Sequence, residues 1–485
     1  MGDPNTLTVV RFLEAIRGRA LPELASLNAP LGVAGVDSRQ MHAGDIFVAM
    51  KGERVDGHGY VAAAFERGAR LALVDHDVNA PGTRIDLRRG ANLLPGGLTE
   101  SGPCVCLVDD VLATLQQAGA AWRKRFNPTV VGITGSIGKS TTKELTAQVL
   151  LAHATTLKNE GNQNNEIGIP ITLLKLKPLH KYAVIEIGMY RRGEIREFAG
   201  WAQPRIGVIT LIAPVHLERL GSMEEIALAK AELLEVLPAA SEGGVAILND
   251  DDARVRALAS HTKARVVRYG LNVDADFRVE DVESFGLEGI ACRLREKGDP
   301  KGYLARVPLL GAHSAHTALR AAVVGRVAGM GWDAIIDALS RPSGPIRLQV
   351  IEGPHGSLVI DDTYNASPES TLAALNVLQE VGEGRPRIAV LADMLELGEF
   401  EERAHREVGC RAALVAQLIV CVGERARWIA EEARACGAPA TAVLHVRTKA
   451  EAIAALRDRV TVSSTILVKG SRGMEMEEVV AALQG

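Results

Sequence analysis

The residues that could do chemistry begin with a short turn containing two glycines and a lysine. Residues 130–144 combine a β-branched run, the glycine turn and helix-forming residues, which predicts a strand, a turn and the start of a helix. Gly135 and Gly138 would let backbone N–H groups surround a phosphate chain, because a Cβ atom there would block its approach. The N-terminal amides of the helix would face the same anion, and Lys139 would reach its terminal phosphates. The pattern predicts a nucleoside-triphosphate site.

The turn is shorter than the eight-residue P-loop pattern, which has a glycine where this chain has Ile133. What remains over residues 134–141 is Thr-Gly-Ser-Ile-Gly-Lys-Ser-Thr. The hydroxyl group of Ser140 or Thr141 would be a ligand of Mg²⁺. An ordinary glycine turn with a solvated lysine is the alternative interpretation, but the flanking strand and the helical spacing of the following apolar residues favour the phosphate site.

A second group of polar residues surrounds the next predicted strand. Residues 158–165 contain four Asn and one Gln, which is more than a simple turn needs and suits a loop that holds a polar ligand. The apolar run 182–187 then contains Glu186. A carboxylate at the carboxyl end of a parallel strand is well placed to bind Mg²⁺, and a structurally paired glutamate is the alternative.

Three more candidates follow along the chain. His216 comes just after the apolar run 206–210, where a lone histidine would by itself be interpreted as structural. A capping box at residues 222–225 predicts a helix, and this helix would carry Lys230 between two alanines, where its amine could enter a site. A later strand-like run ends in Asn249, which two acidic residues follow.

The composition describes a globular chain with a large apolar core. The 485 residues are 47% hydrophobic and 24% charged, and the net charge is −4. This charge gives no basic surface for nucleic acid or for a membrane. No apolar run approaches the roughly 20 residues that span a bilayer, and the N-terminus lacks an apolar signal core. The six cysteines show neither zinc spacing nor a disulfide framework, so we expect reduced thiols and a cytoplasmic protein.

The length and the succession of patterns predict three α/β domains. Residues 1–125 show short alternating strands around polar turns, with a helix predicted over 61–67 and a strand over 71–74. Residues 126–343 alternate strand and helix as a parallel sheet requires, with antiparallel-like strands over 264–310. Residues 344–485 repeat strand and helix as an open, Rossmann-like sheet, with strands predicted over 358–362, 388–391, 418–422, 441–444 and 465–468. No GxGxxG follows the first of these strands, which argues against a bound dinucleotide. The Gly-, Pro- and Arg-rich stretch 77–102 looks like a loop insertion.

Ten stretches, spread over the whole chain, carry a family resemblance. They are Thr134-Gly-Ser-Ile-Gly-Lys-Ser-Thr, Gly161-Asn-Gln-Asn-Asn-Glu-Ile-Gly-Ile-Pro, Ala213-Pro-Val-His-Leu-Glu, Ala229-Lys-Ala-Glu, Leu248-Asn-Asp-Asp, Asp361-Asp-Thr-Tyr-Asn-Ala-Ser-Pro, Asp37-Ser-Arg, Gly44-Asp-Ile-Phe-Val-Ala, Asp393-Met-Leu-Glu-Leu-Gly and Val468-Lys-Gly-Ser-Arg. With these stretches the chain resembles the Mur ligase family of cell-wall synthesis. The short P-loop of that family accounts for the missing glycine at position 133.

The resemblance implies an ATP-dependent amide ligase. It would join D-alanyl-D-alanine to UDP-N-acetylmuramoyl-tripeptide through an acyl phosphate, giving the pentapeptide product, ADP and phosphate, in a monomeric cytoplasmic enzyme. The N-terminal domain would bind the UDP-sugar and the central domain ATP. Two Mg²⁺ ions and a carbamylated Lys230 would complete the site, because an ammonium group would repel Mg²⁺ whereas a carbamate oxygen would bind it.

The same resemblance implies roles for individual residues. Catalysis would involve Lys139, Glu186, His216 and Lys230, and Mg²⁺ would be held by Ser140, Glu186, His216 and Lys230. The nucleotide would contact Gly135, Ser136, Gly138, Lys139, Ser140, Thr141, Asn249, Arg347 and Asp362, and the remaining substrate contacts would be Ser38, Arg39, Asn162 and Asn165.

The chain departs from the family pattern at three positions around the nucleotide. The family element Gly-x-His-Asn-x-x-Asn appears here with Ser314 and Thr317 in place of the two asparagines, and Ile346 stands where a glycine usually precedes Arg347. These changes affect the expected contacts to adenine and ribose and leave the predicted chemistry unchanged.

Three alternative functions share part of this pattern. The preceding ligase of the pathway would add the third residue to a UDP-dipeptide, but the 393–398 stretch and the absence of an Asp-Asn-Pro-Arg motif argue against it. Folylpolyglutamate synthase shares the ATPase core but not the Asp37-Ser-Arg domain. A nucleotide-binding regulatory module would bind ATP without turnover. The sequence does not distinguish diaminopimelate from lysine as the third residue of the tripeptide.

Overall fold

The computed structural model describes residues 5–52, 55–88, 102–215, 217–341 and 348–484. Two compact units account for them. The first consists of Met1–Gly132, Ala154–Gly188 and Ile195–Arg205, and the second consists of Ile133–His153, Met189–Glu194 and Ile206–Gly485. Each unit mixes α-helices with parallel β-strands, which confirms the predicted α/β class. Among the described residues, no helix combines the length and the apolar character needed to cross a membrane.

Short strands and helices alternate over the first part of the chain. The described elements are, in chain order, α1 (Val9–Arg17), β1 (Ala34–Gly35), β2 (Ile46–Val48), α2 (Val61–Glu66), β3 (Leu71–Val74), β4 (Thr83–Asp86), β5 (Cys104–Leu107), α3 (Val111–Arg123), β6 (Thr129–Thr134), α4 (Lys139–Leu151), β7 (Thr156–Lys158), α5 (Gly168–Leu174), β8 (Tyr182–Glu186) and α6 (Glu194–Ala202).

Strands β1 to β5 form a parallel sheet in the first unit, in the order β1-β2-β3-β5-β4. Strands β2, β3 and β5 are uninterrupted apolar runs that are buried along their whole length, as expected for parallel strands covered on both faces. The predicted strand at Leu71–Val74 and the predicted helix beginning at Val61 are confirmed. The interpretation of 77–102 as a loop insertion is wrong at Thr83–Asp86, because these residues form β4 and pair with β5. Residues 89–101 of that stretch lie outside the described residues. In the same unit, β7 pairs in parallel with β8.

The second unit continues with a longer series of strands and helices. They are β9 (Ile206–Ile209), α7 (Leu217–Leu220), α8 (Met223–Glu235), β10 (Val245–Asn249), α9 (Ala253–Ala257), β11 (Arg265–Gly270), β12 (Phe277–Ser284), β13 (Ile290–Glu296), β14 (Tyr303–Val307), α10 (Ser314–Val327) and α11 (Trp332–Ser340).

These strands hydrogen-bond in sequence order from β9 to β14. Strands β9 to β12 run in parallel, whereas β12, β13 and β14 are antiparallel. The prediction of antiparallel strands over 264–310 is therefore wrong for β11. Strand β11 interleaves the exposed Arg265 and Arg268 with the buried Val267 and Tyr269, and such a mixture does not depend on strand direction. The predicted helix after residue 222 is confirmed, since Ser222 Oγ accepts a hydrogen bond from Glu225 N at 3.2 Å.

The rest of the second unit is an open α/β layer structure. Its elements are β15 (Gln349–Glu352), β16 (Leu358–Asp362), α12 (Pro368–Val381), β17 (Arg387–Ala392), α13 (Glu401–Val415), β18 (Leu418–Val422), α14 (Arg427–Ala435), β19 (Val443–Val446), α15 (Lys449–Arg457), β20 (Thr465–Lys469) and α16 (Glu477–Gln484).

The strands of this part form a sheet in the order β15-β16-β20-β17-β18-β19, parallel except for β15. Alternate residues of β17 enter different cores: Ala389 and Leu391 pack with α12, α13 and α14, whereas Ile388 and Val390 pack with α15 and α16. This follows from the two-residue period of a strand. The predicted strands are confirmed, except that β19 begins two residues later than its predicted start at Thr441.

Two of the six cysteines are joined in a disulfide, which corrects the expectation that all thiols are reduced. Cys410 on α13 is bonded to Cys436, which directly follows α14. Their Cα atoms lie 5.3 Å apart although 26 residues separate them in the sequence. Spacing along the chain does not reveal this pair, because the packing of α13 on α14 brings the two residues together. Cys104, Cys106, Cys292 and Cys421 are buried free thiols.

Candidate active site

The predicted strand, glycine turn and helix are present at residues 129–151. Gly135 and Gly138 both have positive φ angles, +145° and +80°, which favour glycine. A Cβ atom on Gly135 would also collide with the Thr210 hydroxyl. No side chain caps the N-terminus of α4, so its first amides are directed at the space above the turn. This is the geometry of an anion site at a helix N-terminus.

The side chains of Lys139 and Ser136 both form hydrogen bonds to backbone groups. Lys139 Nζ donates to the carbonyl oxygens of Gly135 at 2.9 Å and Ser136 at 3.2 Å, so the side chain folds back over the turn. Ser136 Oγ donates to the Ala213 carbonyl and accepts from the Ala213 amide, both at 3.0 Å. Ser136 therefore fastens the turn to the segment after β9, and its hydroxyl is already used.

Ser140 on the first turn of α4 is the hydroxyl residue that could hold a metal. It is 9% exposed, and its Oγ has no hydrogen-bond partner among the described residues. A buried hydroxyl without a partner costs free energy. A cation bound at this position would supply the missing interaction.

Glu186 at the end of β8 is completely buried in the first unit. Its Oε1 accepts a hydrogen bond from Asn164 Nδ2 at 2.8 Å. Asn159 holds the backbone at the same residue, since it accepts from Glu186 N at 2.9 Å and donates to the Glu186 carbonyl at 3.0 Å. The polar loop therefore fixes the carboxylate at the end of the strand, on the edge where the sequence predicted a metal ligand.

The two asparagines that the sequence singled out in this loop have other positions. Asn165 Oδ1 accepts from Gly168 N at 2.9 Å and so stabilises the start of α5. Asn162 is exposed on the loop surface. Asn164 and Asn159, rather than these two, contact Glu186.

Lys230 on α8 is 2% exposed. Burial lowers the pKa of its amine well below the ordinary lysine value, and the charge of Lys139 lowers it further, while Glu232 acts in the opposite direction. This environment favours the neutral amine. His216, the other predicted ligand from this region, lies outside the described residues.

A cavity of about 720 Å³ opens beside the glycine turn, within the second unit. Its wall on one side includes the turn and α10, and its wall on the other side comes from the loops after β16 and β20. Apolar residues such as Leu309 and Leu348 lie among convergent polar groups, which is the usual composition of a ligand pocket. The polar lining residues include Ser136, Thr141, Asn249, His313, His316, Thr317, Arg320, Asp362, Asn365 and Lys469.

Asn249 and Asp362 were predicted to contact the nucleotide, and both line this cavity. Asn249 Nδ2 donates to the Thr210 carbonyl at 3.0 Å. Asp362 Oδ2 accepts from Lys469 Nζ at 2.5 Å, and the lysine is 2% exposed. The third predicted contact, Arg347, and its neighbour Ile346 lie outside the described residues.

The two departures on α10 have defined partners. Ser314 Oγ donates to the Leu310 carbonyl at 2.7 Å, and Thr317 Oγ1 accepts from Arg320 Nη2 at 2.8 Å. Burial lowers the pKa of His313 and of His316 below the ordinary histidine value. Both imidazoles therefore favour the neutral form in the cavity wall.

Ser38 and Arg39, the predicted substrate residues of the first unit, lie on a single helical turn that Asp37 caps. Arg39 donates from Nε and Nη2 to the two carboxylate oxygens of Asp37, at 2.9 and 2.8 Å. These bonds lower the pKa of Asp37. The Arg39 side chain is 82% exposed, so its charge is held in one orientation at the surface, where it could meet an anionic substrate.

Family models of known proteins cover the chain in three segments. The Mur ligase middle domain matches residues 133–325, the Mur ligase glutamate ligase domain matches residues 346–472, and the Mur ligase family catalytic domain matches residues 32–92. The UDP-N-acetylmuramoyl-tripeptide–D-alanyl-D-alanine ligase of Bacillus subtilis (strain 168) is 34% identical, with 98% of this chain and 98% of that protein covered. This chain belongs to the Mur ligase family.

Other Mur ligases are similar to this chain in sequence and in structure over nearly its whole length. The enzyme of the same name from Escherichia coli (strain K12) is 34% identical, with 99% of this chain and 98% of that protein covered. A crystal structure of MurF from Acinetobacter baumannii superposes with a TM-score of 0.78 at 28% identity, covering 99% of this chain and 100% of that chain. The crystal structure of MurF ligase from Thermotoga maritima in complex with ADP superposes with a TM-score of 0.73 at 25% identity, covering 93% of this chain and 97% of that chain. The three-domain α/β organisation predicted from the sequence is that of the family.

Sequence reasoning missed two residues beside Glu186 in the first unit, Asn164 and Asn159, and two residues in the cavity wall of the second unit, Lys469 and Arg320. Asn164 and Asn159 were part of the polar loop but could not be told from their neighbours. Lys469 was visible only as part of a family stretch. Arg320 had one available signal, a charged residue inside the apolar, alanine-rich segment that forms α10.

Proposed function

We propose that this Mur ligase joins D-alanyl-D-alanine to UDP-N-acetylmuramoyl-tripeptide at the expense of ATP, giving the pentapeptide product, ADP and phosphate. The observation that carries the proposal is the cavity of the second unit, in which the glycine turn and α4 face Asp362 and Lys469. An anion-binding turn and a large, partly apolar pocket in the same cavity suit a nucleoside triphosphate. The names of the 34% identical relatives supply the substrates.

ATP would bind with its phosphate chain on the turn that contains Gly135 and Gly138. The free amides at the start of α4 would donate to the phosphate oxygens. Lys139, which now donates to carbonyl oxygens of the turn, would turn towards the terminal phosphates. The turn residues Ser136, Ser140 and Thr141, with Asn249, Asp362 and Arg347, would complete the nucleotide site.

Amide formation at neutral pH needs a leaving group on the carboxyl carbon of the tripeptide. A carboxylate oxygen would attack the γ-phosphorus of ATP, the bond from phosphorus to the bridging oxygen would break, and ADP would leave. The amine of D-alanyl-D-alanine would then attack the acyl carbon, lose a proton and expel phosphate. Since two anions must meet in the first step, Lys139 would reduce their repulsion.

Ser140, Glu186, His216 and Lys230 would hold two Mg²⁺ ions. The described members fit this role: Ser140 Oγ is buried without a partner, and Glu186 is a buried carboxylate that the polar loop fixes. Bound Mg²⁺ would neutralise charge on the phosphate oxygens. Asn162 and Asn165 would provide further substrate contacts from the same loop.

Lys230 would act as its carbamate. Carbamylation joins the nitrogen of a neutral amine to CO₂ and releases a proton, so the lowered pKa of buried Lys230 supports it. A test is carbon NMR of the protein in ¹³C-bicarbonate, with Lys230→Met as the control. A carbamate signal that is present in the wild type and missing from the variant is expected. Identical spectra of the two proteins would reject the carbamate.

The UDP-sugar would bind to the N-terminal domain through Ser38 and Arg39. Arg88 is a matched control. It lies two residues after Asp86, as Arg39 lies two residues after Asp37, and it donates to both carboxylate oxygens of that aspartate. Replacing Arg39 with Ala should raise the KM for the UDP-substrate about tenfold or more, whereas Arg88→Ala should leave it unchanged. Equal effects of the two substitutions would argue against the assignment.

We further propose the domain boundaries, the oligomeric state and the cellular location of the enzyme. The domain boundaries would be 1–125, 126–343 and 344–485, the protein would be a monomer, and it would work in the cytoplasm, where ATP is available. No nucleic acid or membrane would take part.

Release of phosphate from ATP tests the function. Release that needs both UDP-N-acetylmuramoyl-tripeptide and D-alanyl-D-alanine is the expected result, and tripeptides with diaminopimelate or lysine as the third residue would establish specificity. Release with a UDP-dipeptide and a free diamino acid would instead support the preceding ligase. ATP binding without release under either condition would support a regulatory module.

A further inference from the structure

Arg320 on α10 is a buried cation in the wall of the nucleotide cavity. The residue is 4% exposed. Its Nε donates to Thr142 Oγ1 at 3.0 Å, its Nη2 to Thr317 Oγ1 at 2.8 Å, and its Nη1 to the Tyr269 hydroxyl at 3.4 Å. All three acceptors among the described residues are hydroxyl groups, and none is a carboxylate.

Such an arrangement is incomplete for a guanidinium group. Arginine carries five N–H donors, and three of them are used in these bonds. A charge that is removed from water needs an opposite charge, because neutral hydroxyl groups do not balance it. Within the part of the chain that the structure describes, no carboxylate forms an ion pair with this guanidinium group, whose three hydrogen-bond partners are neutral hydroxyl groups.

The unused donors lie next to the anion-binding turn. Arg320 lines the same cavity as Gly138 and Thr141. A Cβ atom built on Gly138 would lie 3.2 Å from Arg320 Nη2, so the guanidinium approaches the turn at the residue that caps α4. Thr142, which receives the Nε bond, belongs to the first turn of the same helix.

We propose that Arg320 binds the phosphate chain of the nucleotide, so that its guanidinium group gains an anionic partner when the nucleotide is bound. The inference rests on the function proposed above, since it assigns a residue to the ATP site. Arg320 would reach the phosphates from α10, beside the turn at Gly138. Its three hydroxyl partners would keep the guanidinium plane in place while the cavity is empty.

A ligand series measures the interaction with phosphate separately from binding in general. Affinities of adenosine, AMP, ADP and ATP would be measured by calorimetry for the wild type and for Arg320→Met, which keeps a similar length without the charge. We expect the affinity for ADP and ATP to fall about 10- to 100-fold, because a hydrogen bond to a charged group is lost. Adenosine should bind both proteins equally.

Arg123 provides a control for the effect of losing a buried arginine. It is 6% exposed and donates to the carbonyl oxygens of Ala202 and Phe126, both at 2.9 Å, in the first unit. Arg123→Met should lower the thermal midpoint and leave all four affinities unchanged. Arg320→Met should leave the midpoint of the free protein unchanged or raise it, since it removes a buried charge that has no ion pair among the described residues, and should reduce the increase that ADP causes.

Equal losses for adenosine and ADP, or a lower midpoint with unchanged ADP affinity, would show that Arg320 only supports the packing of α10 on α4 and would overturn the inference. Failure of the wild type to bind ADP at all would reject the proposed function itself. The two failures are therefore distinguishable.

Discussion

Lys469 Nζ and Asp362 Oδ2 lie 2.5 Å apart and join the ends of two adjacent parallel strands, β20 and β16. The lysine side chain is 2% exposed and the aspartate side chain 14% exposed. Lys469 also donates to the Asn365 carbonyl at 2.8 Å, so one amine fixes the loop after β16 and the carboxylate beside it. Asp362 lines the cavity of the second unit with its charge balanced by Lys469, whereas Arg320 in the same cavity has no ion pair among the described residues.

Breaking this pair should be more costly than removing both partners. Lys469→Met leaves the Asp362 carboxylate without its cation, and we expect the free energy of unfolding in urea to fall by about 2 kcal/mol. The double variant Lys469→Met/Asp362→Asn should lose less stability than Lys469→Met alone, and less than the sum of the two single variants. Lys449, which pairs with the exposed Glu475 and Glu478, is the control: Lys449→Met should leave the free energy of unfolding nearly unchanged. Additive losses would show that the pair is not coupled.

A negative charge introduced in place of Asn164 should destabilise the protein, whereas the same charge in place of Asn162 should not. Asn164→Asp would replace the donating amide, whose nitrogen lies 2.8 Å from Oε1 of buried Glu186, with a second carboxylate, and two like charges this close repel each other. We expect the free energy of unfolding to fall by about 2 kcal/mol at pH 8. The repulsion requires both carboxylates to be charged, so the loss should be smaller at pH 5.

The control for this position is Asn162→Asp on the exposed surface of the same loop, which should change the unfolding free energy by about 0.5 kcal/mol or less. Urea unfolding at the two pH values measures both variants. A loss from Asn164→Asp that is the same at pH 5 and pH 8 would contradict the proposed carboxylate repulsion.

The strands and helices could be predicted from the sequence because each is a local pattern. The apolar run Leu418–Val422 gave the bounds of β18 directly, and the apolar residues 358–360 with the two aspartates that follow them gave those of β16. Strand β15 was missed, since its residues are only half-buried and do not form an apolar run. The glycine turn was found for the same reason as the strands: its residue types are contiguous.

Side-chain partners from distant parts of the chain could not be predicted in this way. The apolar, alanine-rich composition of α10 indicates a buried helix, but it does not show that Tyr269 and Thr142 accept the Arg320 hydrogen bonds. The polar loop was recognised, but only its folded path shows that Asn164 rather than Asn162 or Asn165 reaches Glu186. Family resemblance names positions and does not supply such contacts.

The disulfide between Cys410 and Cys436 can be detected by counting reactive thiols before and after reduction. Unfolded in guanidinium without reductant, the protein should react with a thiol reagent at Cys104, Cys106, Cys292 and Cys421 only, and reduction should add two further thiols. Because the bridge closes a loop of 26 residues, its reduction should lower the free energy of unfolding by about 3 kcal/mol.

The control for this effect is the variant in which Cys410 and Cys436 are both replaced by Ser. Its stability should not respond to reductant, whereas that of the wild type should. Six reactive thiols in the unreduced wild type would show that the two cysteines are not bonded under the conditions used.

His405 on α13 should make the protein less stable as the pH falls. Its Nε2 accepts from Met394 N at 3.0 Å, and its Nδ1 donates to the Glu401 carbonyl at 2.7 Å, so the neutral ring is required. Burial lowers the pKa of His405 in the folded protein. Below the unfolded value of about 6.5, the unfolded chain therefore takes up a proton that the folded chain resists, and the stability that is complete above this pH is progressively lost.

Comparison with His405→Leu isolates this contribution from that of the other buried histidines. The variant loses the Met394 hydrogen bond and should be less stable than the wild type at pH 7.5, by about 1–3 kcal/mol. Because leucine does not titrate, the difference between the two proteins should shrink between pH 7.5 and pH 5.5 in urea unfolding. A difference that stays constant over this range would mean that His405 binds a proton equally well in the folded and unfolded chains. That result would contradict the requirement for a neutral ring in these two hydrogen bonds.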